Sequence, residues 1–135
     1  MFCMCVFAVQ AVAQEHYTEG PVWRVTLMRV KEGQSDAYLT TLRETTKPLL
    51  DEQKRQGLIL DYKVMLKETT ENEKDWDIVL CVLYKNHAAL DSLTAKAEAV
   101  RDKVSSKQAM QQVGEKRVAM REIVSSFLIR EVTLK

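Results

Sequence analysis

Residues 22–30 read Val-Trp-Arg-Val-Thr-Leu-Met-Arg-Val, a stretch rich in strand formers and free of Gly and Pro, which predicts a first strand. A turn at 31–34 follows, and Ser35 is placed to cap a helix over 36–56. Tyr38, Leu39, Leu42, Thr46, Leu49 and Gln53 recur at three- and four-residue steps and give that helix one mostly apolar face. Pro48 removes a backbone donor inside it, so a kink is expected. Gly57 stands where a left-handed helix terminator belongs. Leu60, Tyr62, Val64 and Leu66 then alternate with Asp61, Lys63, Met65 and Lys67, the period of a strand over 59–67 with one buried face. Polar residues 68–74 make a hairpin connection to a strand over 76–85 that is apolar on both faces, as a central strand should be. Asn86 can cap a second helix marked by Leu90, Leu93, Ala97, Val100 and Val104. A break at Ser105-Ser106 leads to another helical stretch, with Met110, Val113, Met120 and Ile123 spaced for burial and Gly114 weakening it by about 1 kcal/mol against Ala. The last strand covers 127–134.

The order β-α-β-β-α-(α)-β predicts an α+β fold, the ferredoxin-like βαββαβ arrangement, with a four-stranded antiparallel sheet and an extra helical segment before the last strand. Right-handed crossovers put the helices on one face and leave the other bare. The larger set of third-strand residues, Trp76, Ile78, Leu80, Val82 and Tyr84, is expected to meet the helices together with Val25, Leu27, Tyr62, Val64 and Val132. That leaves Val79, Cys81 and Leu83 on the open side with Met28, Met65 and Ile129.

Residues 1–9 are all apolar, and Gln10 and Ala11-Val12-Ala13 follow. This reads as a signal segment over 1–13 ending in an A-x-A cleavage site, with a flexible lead-in at 14–21 and a single domain over 22–135. No Lys or Arg precedes the apolar run, which fits a start codon lying inside the true gene; the other reading of the run is a buried N-terminal strand. The run is too short to span a bilayer. The expectation is an exported protein of the periplasm or extracellular space with no transmembrane segment in its mature form. Cys3 and Cys5 fall in the segment to be removed, and Cys81 alone cannot make an internal disulfide. Lys plus Arg number 20 against 19 Asp plus Glu, so there is no charge surplus to hold a polyanion and nucleic acid is not expected as a partner.

Candidate chemistry is sparse. Of the two histidines, His16 lies in the lead-in and His87 follows the cap Asn86. No His pair or Cys cluster has metal-ligand spacing, and the isolated glycines form no phosphate-cradling loop, so no metal and no cofactor is expected. Arg24, Lys63 and Glu131 are assigned by alternation to the sheet face away from the helices, either as a polar pocket between two sheets or as interfacial ion pairs. Trp23 and Trp76 read as core. Tyr38, Tyr62, Arg24 and His87 are the groups an enzyme could use, but the sequence shows no constellation among them. Catalytic and cofactor-binding residues therefore stay unassigned.

The element order, the long first helix with Lys47-Pro48-Leu49-Leu50 and its end at Gly57, and the run Gly57-Leu58-Ile59-Leu60-Asp61-Tyr62 into the second strand resemble the dimeric α/β-barrel superfamily. The stretch Tyr84-Lys85-Asn86-His87-Ala88-Ala89-Leu90-Asp91 is similar to exported bacterial members. The resemblance spans roughly 22–134 and implies a ferredoxin-like protomer pairing sheet to sheet, hence a homodimer through the open face. The superfamily includes cofactor-free monooxygenases, haem-degrading enzymes and stress-induced proteins. The haem-degrading members use an Asn of the first strand with a Trp and a His near the second helix. Here the first strand has no Asn, and Trp76 and His87 are out of register, so those roles are not carried over. The expectation is an exported dimeric protein whose biochemical role the sequence does not assign, with small-molecule binding as the leading reading and no catalytic constellation to mark it as an enzyme; the alternative is a cofactor-independent, monooxygenase-like enzyme.

Overall fold

The computed structural model describes residues 15–69, 71–72 and 74–135; the signal segment assigned to 1–13 lies outside them. Four strands, β1 (Tyr17–Val30), β2 (Asp61–Leu66), β3 (Ile78–Tyr84) and β4 (Arg121–Leu134), form one antiparallel sheet in the order β2-β3-β1-β4. This is the ferredoxin-like order expected from the sequence. The helices are α1 (Ser35–Thr41), a π-helical segment (Leu42–Thr46), α2 (Lys47–Arg55), α3 (Leu93–Val104) and α4 (Lys107–Met120).

β1 begins at Tyr17, so most of the expected lead-in is strand. Gly20-Pro21 does not end the strand, because it sits in a register shift between Glu19 and Val22 where an unpaired proline nitrogen is tolerated. A Cβ on Gly20 would lie 2.9 Å from the Glu131 carbonyl oxygen, so the two strands approach there as closely as only glycine allows. β4 likewise starts six residues before the expected Phe127, because Arg121 and Glu122 already pair with Val30 and Arg29. Ile123, assigned to the last helix, is therefore in β4 and 54% exposed.

The expected kink at Pro48 takes the form of a π-helical turn just before it. Without an N–H, Pro48 cannot continue the regular ladder, and the chain widens by one residue over Leu42–Thr46. Thr41 and Thr45 bond back to the carbonyls of Ala37 (3.0 Å) and Thr41 (2.5 Å), occupying acceptors along the altered stretch. The extra residue rotates the buried face, so Leu50 rather than Leu49 is buried with Tyr38, Leu42, Thr46 and Gln53. Ser35 is the first helical residue rather than the cap, and no side chain caps this end. Asn86 does cap, its side chain accepting from the Ala89 amide at 3.0 Å, but what it starts is a 3-10 turn at His87–Leu90. Ser92, left-handed at φ 55°, separates that turn from α3. Ser106 caps α4 through the Ala109 amide at 3.1 Å.

Gly57 has φ +76° and closes α2, with its amide bonded to the Lys54 carbonyl at 3.1 Å. A β-branched residue is strained in this conformation, so Gly57→Val is expected to cost on the order of 1 kcal/mol or more. Coincident urea midpoints for mutant and parent would contradict it.

Two buried clusters lie between sheet and helices. Met28, Tyr38, Leu42, Ile78 and Met120 form one; Leu50, Ile59, Val82 and Tyr84 form the other. A third cluster, Val25, Val79 and Cys81 with Trp23, Leu27 and Trp76 against it, lies on the opposite side of the sheet. The expected faces hold for β3 from Ile78 to Tyr84 and are inverted for β1. Val22, Arg24, Thr26 and Met28 pair with Tyr84, Val82, Leu80 and Ile78 and so share the helix face. Val25 and Leu27 face away from the helices, and Met28 faces toward them, its sulfur accepting from the Tyr38 hydroxyl at 2.8 Å. Trp76 also packs on the open side.

Candidate functional site

Lys63 and Glu131 lie on the open sheet face as expected, on opposite edge strands, and each contacts Trp23. The indole N–H of Trp23 donates to Glu131 Oε1 at 2.7 Å, and Lys63 Nζ stands 5.5 Å from a Trp23 ring centroid. Arg24 is elsewhere: on the helix face, with its guanidinium 5.6 Å from the Tyr84 ring. The three therefore do not form one pocket. Around Trp23 the open face is apolar. Phe127 and Ile129 pair with Val25 and Trp23 and are 41% and 50% exposed, and Met65 pairs with Val79. Lys67 closes this face at the hairpin, over the Trp76 ring and ion-paired to Asp75. Cys81 packs with Val25 and Val79, and burial raises its thiol above the ordinary range against a smaller opposing effect of Lys63.

A second surface lies on the other side of β2. There the long helix and the edge strand leave a groove of about 280 Å³. Leu39, Leu42, Leu50 and Val64 make its apolar lining, and Thr46, at the end of the π-helical turn, faces it too. Its rim carries Tyr62 and Lys47. The Tyr62 hydroxyl donates to Asp51 Oδ1 at 2.5 Å, and Lys47 Nζ donates to Asp51 Oδ2 at 2.5 Å. These hydrogen bonds, Lys47 first, hold the Asp51 carboxyl below its usual range. Burial, with Asp51 adding to it, pushes Tyr62 up to about 12. Asp51 and its partnership with Tyr62 were not singled out in the sequence. The Lys47–Asp51 spacing of four residues was legible there, but the approach of β2 to α2 is tertiary.

A group whose folded pKa is raised contributes stability that is complete below its unfolded value and lost as pH rises to the folded value. For Tyr62 that window runs from its ordinary 10 to about 12. Denaturant midpoints are therefore expected to fall across this window, and to fall less in Tyr62→Phe. Parallel declines in both proteins would refute the assignment.

The four groups considered for catalysis do not converge. Tyr38 is 1% exposed in the core, and its oxygen accepts from Arg121 Nε at 3.4 Å. Tyr62 is on the groove rim, and Arg24 stacks on Tyr84. His87 is exposed and borders a shallow cleft with Val22 and Arg130. Among the described residues no group of His, Cys, Asp and Glu is arranged to hold a metal, and no helix is long and apolar enough to cross a membrane.

No family model and no curated protein matches the chain. Solved structures do. HapK from Hahella chejuensis superposes with a TM-score of 0.55 at 11% identity, over 82% of this chain and 91% of that one. A nipsnap family protein with unknown function from Agrobacterium tumefaciens gives 0.53 at 13% identity, over 89% and 92%. A dimeric ferredoxin-like protein from an uncultured marine organism gives 0.51 at 10% identity, over 87% and 90%. At these identities the likeness is one of fold. Strand order, helices on one face and superposition over 82–89% of the chain together establish that the chain has a ferredoxin-like α+β fold.

Proposed function

We propose that this chain is the exported protomer of a homodimer that binds a small, mostly apolar molecule in the groove between the long helix and β2. The observation that carries the binding reading is the groove itself: a continuous apolar lining beside the π-helical turn, with one polar cluster at its rim. Such turns occur frequently at functional sites, and a lining of this kind with a few convergent polar groups is the usual form of a small-molecule site. The Tyr62 hydroxyl proton is committed to Asp51, so the rim offers a ligand the Tyr62 oxygen as an acceptor.

Binding is favoured over catalysis because the groups an enzyme could use are dispersed: Tyr38 is in the core, Tyr62 on the groove, Arg24 against Tyr84 and His87 at a different cleft. The monooxygenase-like alternative would need them to converge on one pocket.

Pairing through the open sheet face is supported by the apolar residues that β1 and β4 place there. Trp23, Val25, Leu27, Phe127 and Ile129 point away from the helices, while Val22, Met28 and Leu128 point toward them together with Arg24, Thr26, Ser126 and Arg130. A sheet that is apolar on both faces calls for a cover on its second face as well. The marine neighbour of the same fold is itself described as dimeric.

The binding reading is tested with N-phenyl-1-naphthylamine, a neutral apolar dye. Fluorescence enhancement is expected with the parent and should be lost in Val64→Arg, a substitution at a position 40% exposed and therefore tolerated by the fold. Enhancement that survives in Val64→Arg, or none in the parent, would sink it. Mass spectrometry of solvent extracts from the purified protein would then name the natural ligand. For export, the expected intact mass of protein from the envelope fraction is that of a chain beginning at Gln14; a retained Met1 would refute cleavage.

A further inference from the structure

The helices α3 and α4 diverge after Ser105-Ser106 and leave between them a groove of about 530 Å³. Arg117 of α4 lines it and is partly buried. One of its terminal nitrogens donates to Thr46 Oγ1 at 2.7 Å and, more weakly, to Thr45 Oγ1 at 3.5 Å. Its Nε is buried with no partner, and no carboxylate among the described residues reaches it. Arg121, one turn on, is also without a carboxylate partner among the described residues and adds repulsion rather than relief. A guanidinium stays charged in proteins, so burial leaves it seeking an anion rather than losing its proton.

Two further features shape the groove. Gly114 sits on its wall one turn before Arg117, in the middle of α4 where glycine weakens the helix, and a Cβ there would touch nothing within 4 Å. Packing gives no reason for that glycine, and its bareness leaves room beside the arginine. The α3 wall carries Glu98, bound to Arg101 at 3.5 Å, and Asp102, while Lys107 opens the α4 wall. The groove thus has one positive wall and one mildly negative wall.

We infer that the α3–α4 groove is a binding site for a small, singly charged organic carboxylate, held by Arg117 in the space that Gly114 leaves open. The acidic wall selects against dianions. Its lining shares no residue with the apolar groove at β2, and the two are linked through the bond from Arg117 to Thr46 of that groove.

The test is a titration of the full chain, followed by amide chemical shifts, with sodium benzoate as the monoanion and sodium sulfate as the dianion. Benzoate is expected to give saturable shifts confined to residues 98–102 and 107–118, and sulfate to bind at least tenfold more weakly. Arg117→Gln keeps a donor for Thr46 but no charge, and should weaken benzoate binding tenfold or more with an unchanged far-UV spectrum. Gly114→Leu fills the open space beside Arg117 while keeping its charge and should do the same, so the assignment stays testable if the arginine variant folds poorly. Absence of saturable benzoate shifts, tighter sulfate binding, or unaltered benzoate affinity in Gly114→Leu would overturn it.

Discussion

Phe127→Lys is expected to convert a dimer to a monomer without unfolding it. Phe127 lies on the open face of β4, opposite Val25, and is 41% exposed in the single chain, so a lysine there can reach water in a monomer. Between two sheets it could not. A two-fold contact uses the same patch twice, so each substitution counts twice. Phe127 has 41% of its surface left for a partner to cover, so losing that burial is worth roughly 0.6–1.2 kcal/mol, hence about 1.2–2.5 kcal/mol for the pair, and a buried ammonium adds to it. The lost burial alone is about one to two powers of ten in dissociation constant. Sedimentation at micromolar concentration should show a parent dimer and a mutant monomer with the same far-UV spectrum. Leu83→Lys, on the same face of β3, should behave alike. A monomeric parent, or dimers that persist in both variants, would end the sheet-to-sheet proposal.

Tyr38→Ala is expected to be the most destabilising single truncation in the core. The ring is 1% exposed among Met28, Leu42, Ile78 and Met120, and its hydroxyl bridges Met28 and Arg121. Emptying a buried aromatic site costs about 3–5 kcal/mol, a large part of the stability of an ordinary domain. Tyr38→Phe keeps the volume and loses only the polar contacts, about 1 kcal/mol. Urea unfolding should separate the two clearly. Dye binding in the groove should be unaffected by Tyr38→Phe, because this tyrosine, one of the groups a catalytic reading would have used, is structural. Equal midpoints for Ala and Phe variants would mean that the cavity collapses and that the ring is not the keystone of its cluster.

Much of this protein could be read in one dimension. Period-two alternation located β2, and the apolar run located β3. The three- and four-residue steps from Tyr38 to Gln53 located the long helix, and Gly57 marked its end because only that backbone conformation closes a helix so sharply. These features are local: each depends on a residue and its near neighbours along the chain. The order of the elements then restricted the topology to the sheet observed.

Tertiary structure decided what locality does not reach. The outward face of β1 depends on what covers each side of the sheet. The rule that apolar residues face the helices fails for Val25 and Leu27 because their side is itself placed for burial. The pairing of Tyr17 with Leu134 made strand of a segment that its Gly20-Pro21 pair marked as a break. The π-helical turn moved burial from Leu49 to Leu50, a phase change of one residue that simple periodicity cannot anticipate. The candidate sites are assembled across the chain: Tyr62 with Asp51, Trp23 with Glu131, Arg117 with Thr46. The chemistry of each residue type is written in the sequence, but the desolvation and proximity that put it to use arise only when distant segments pack together.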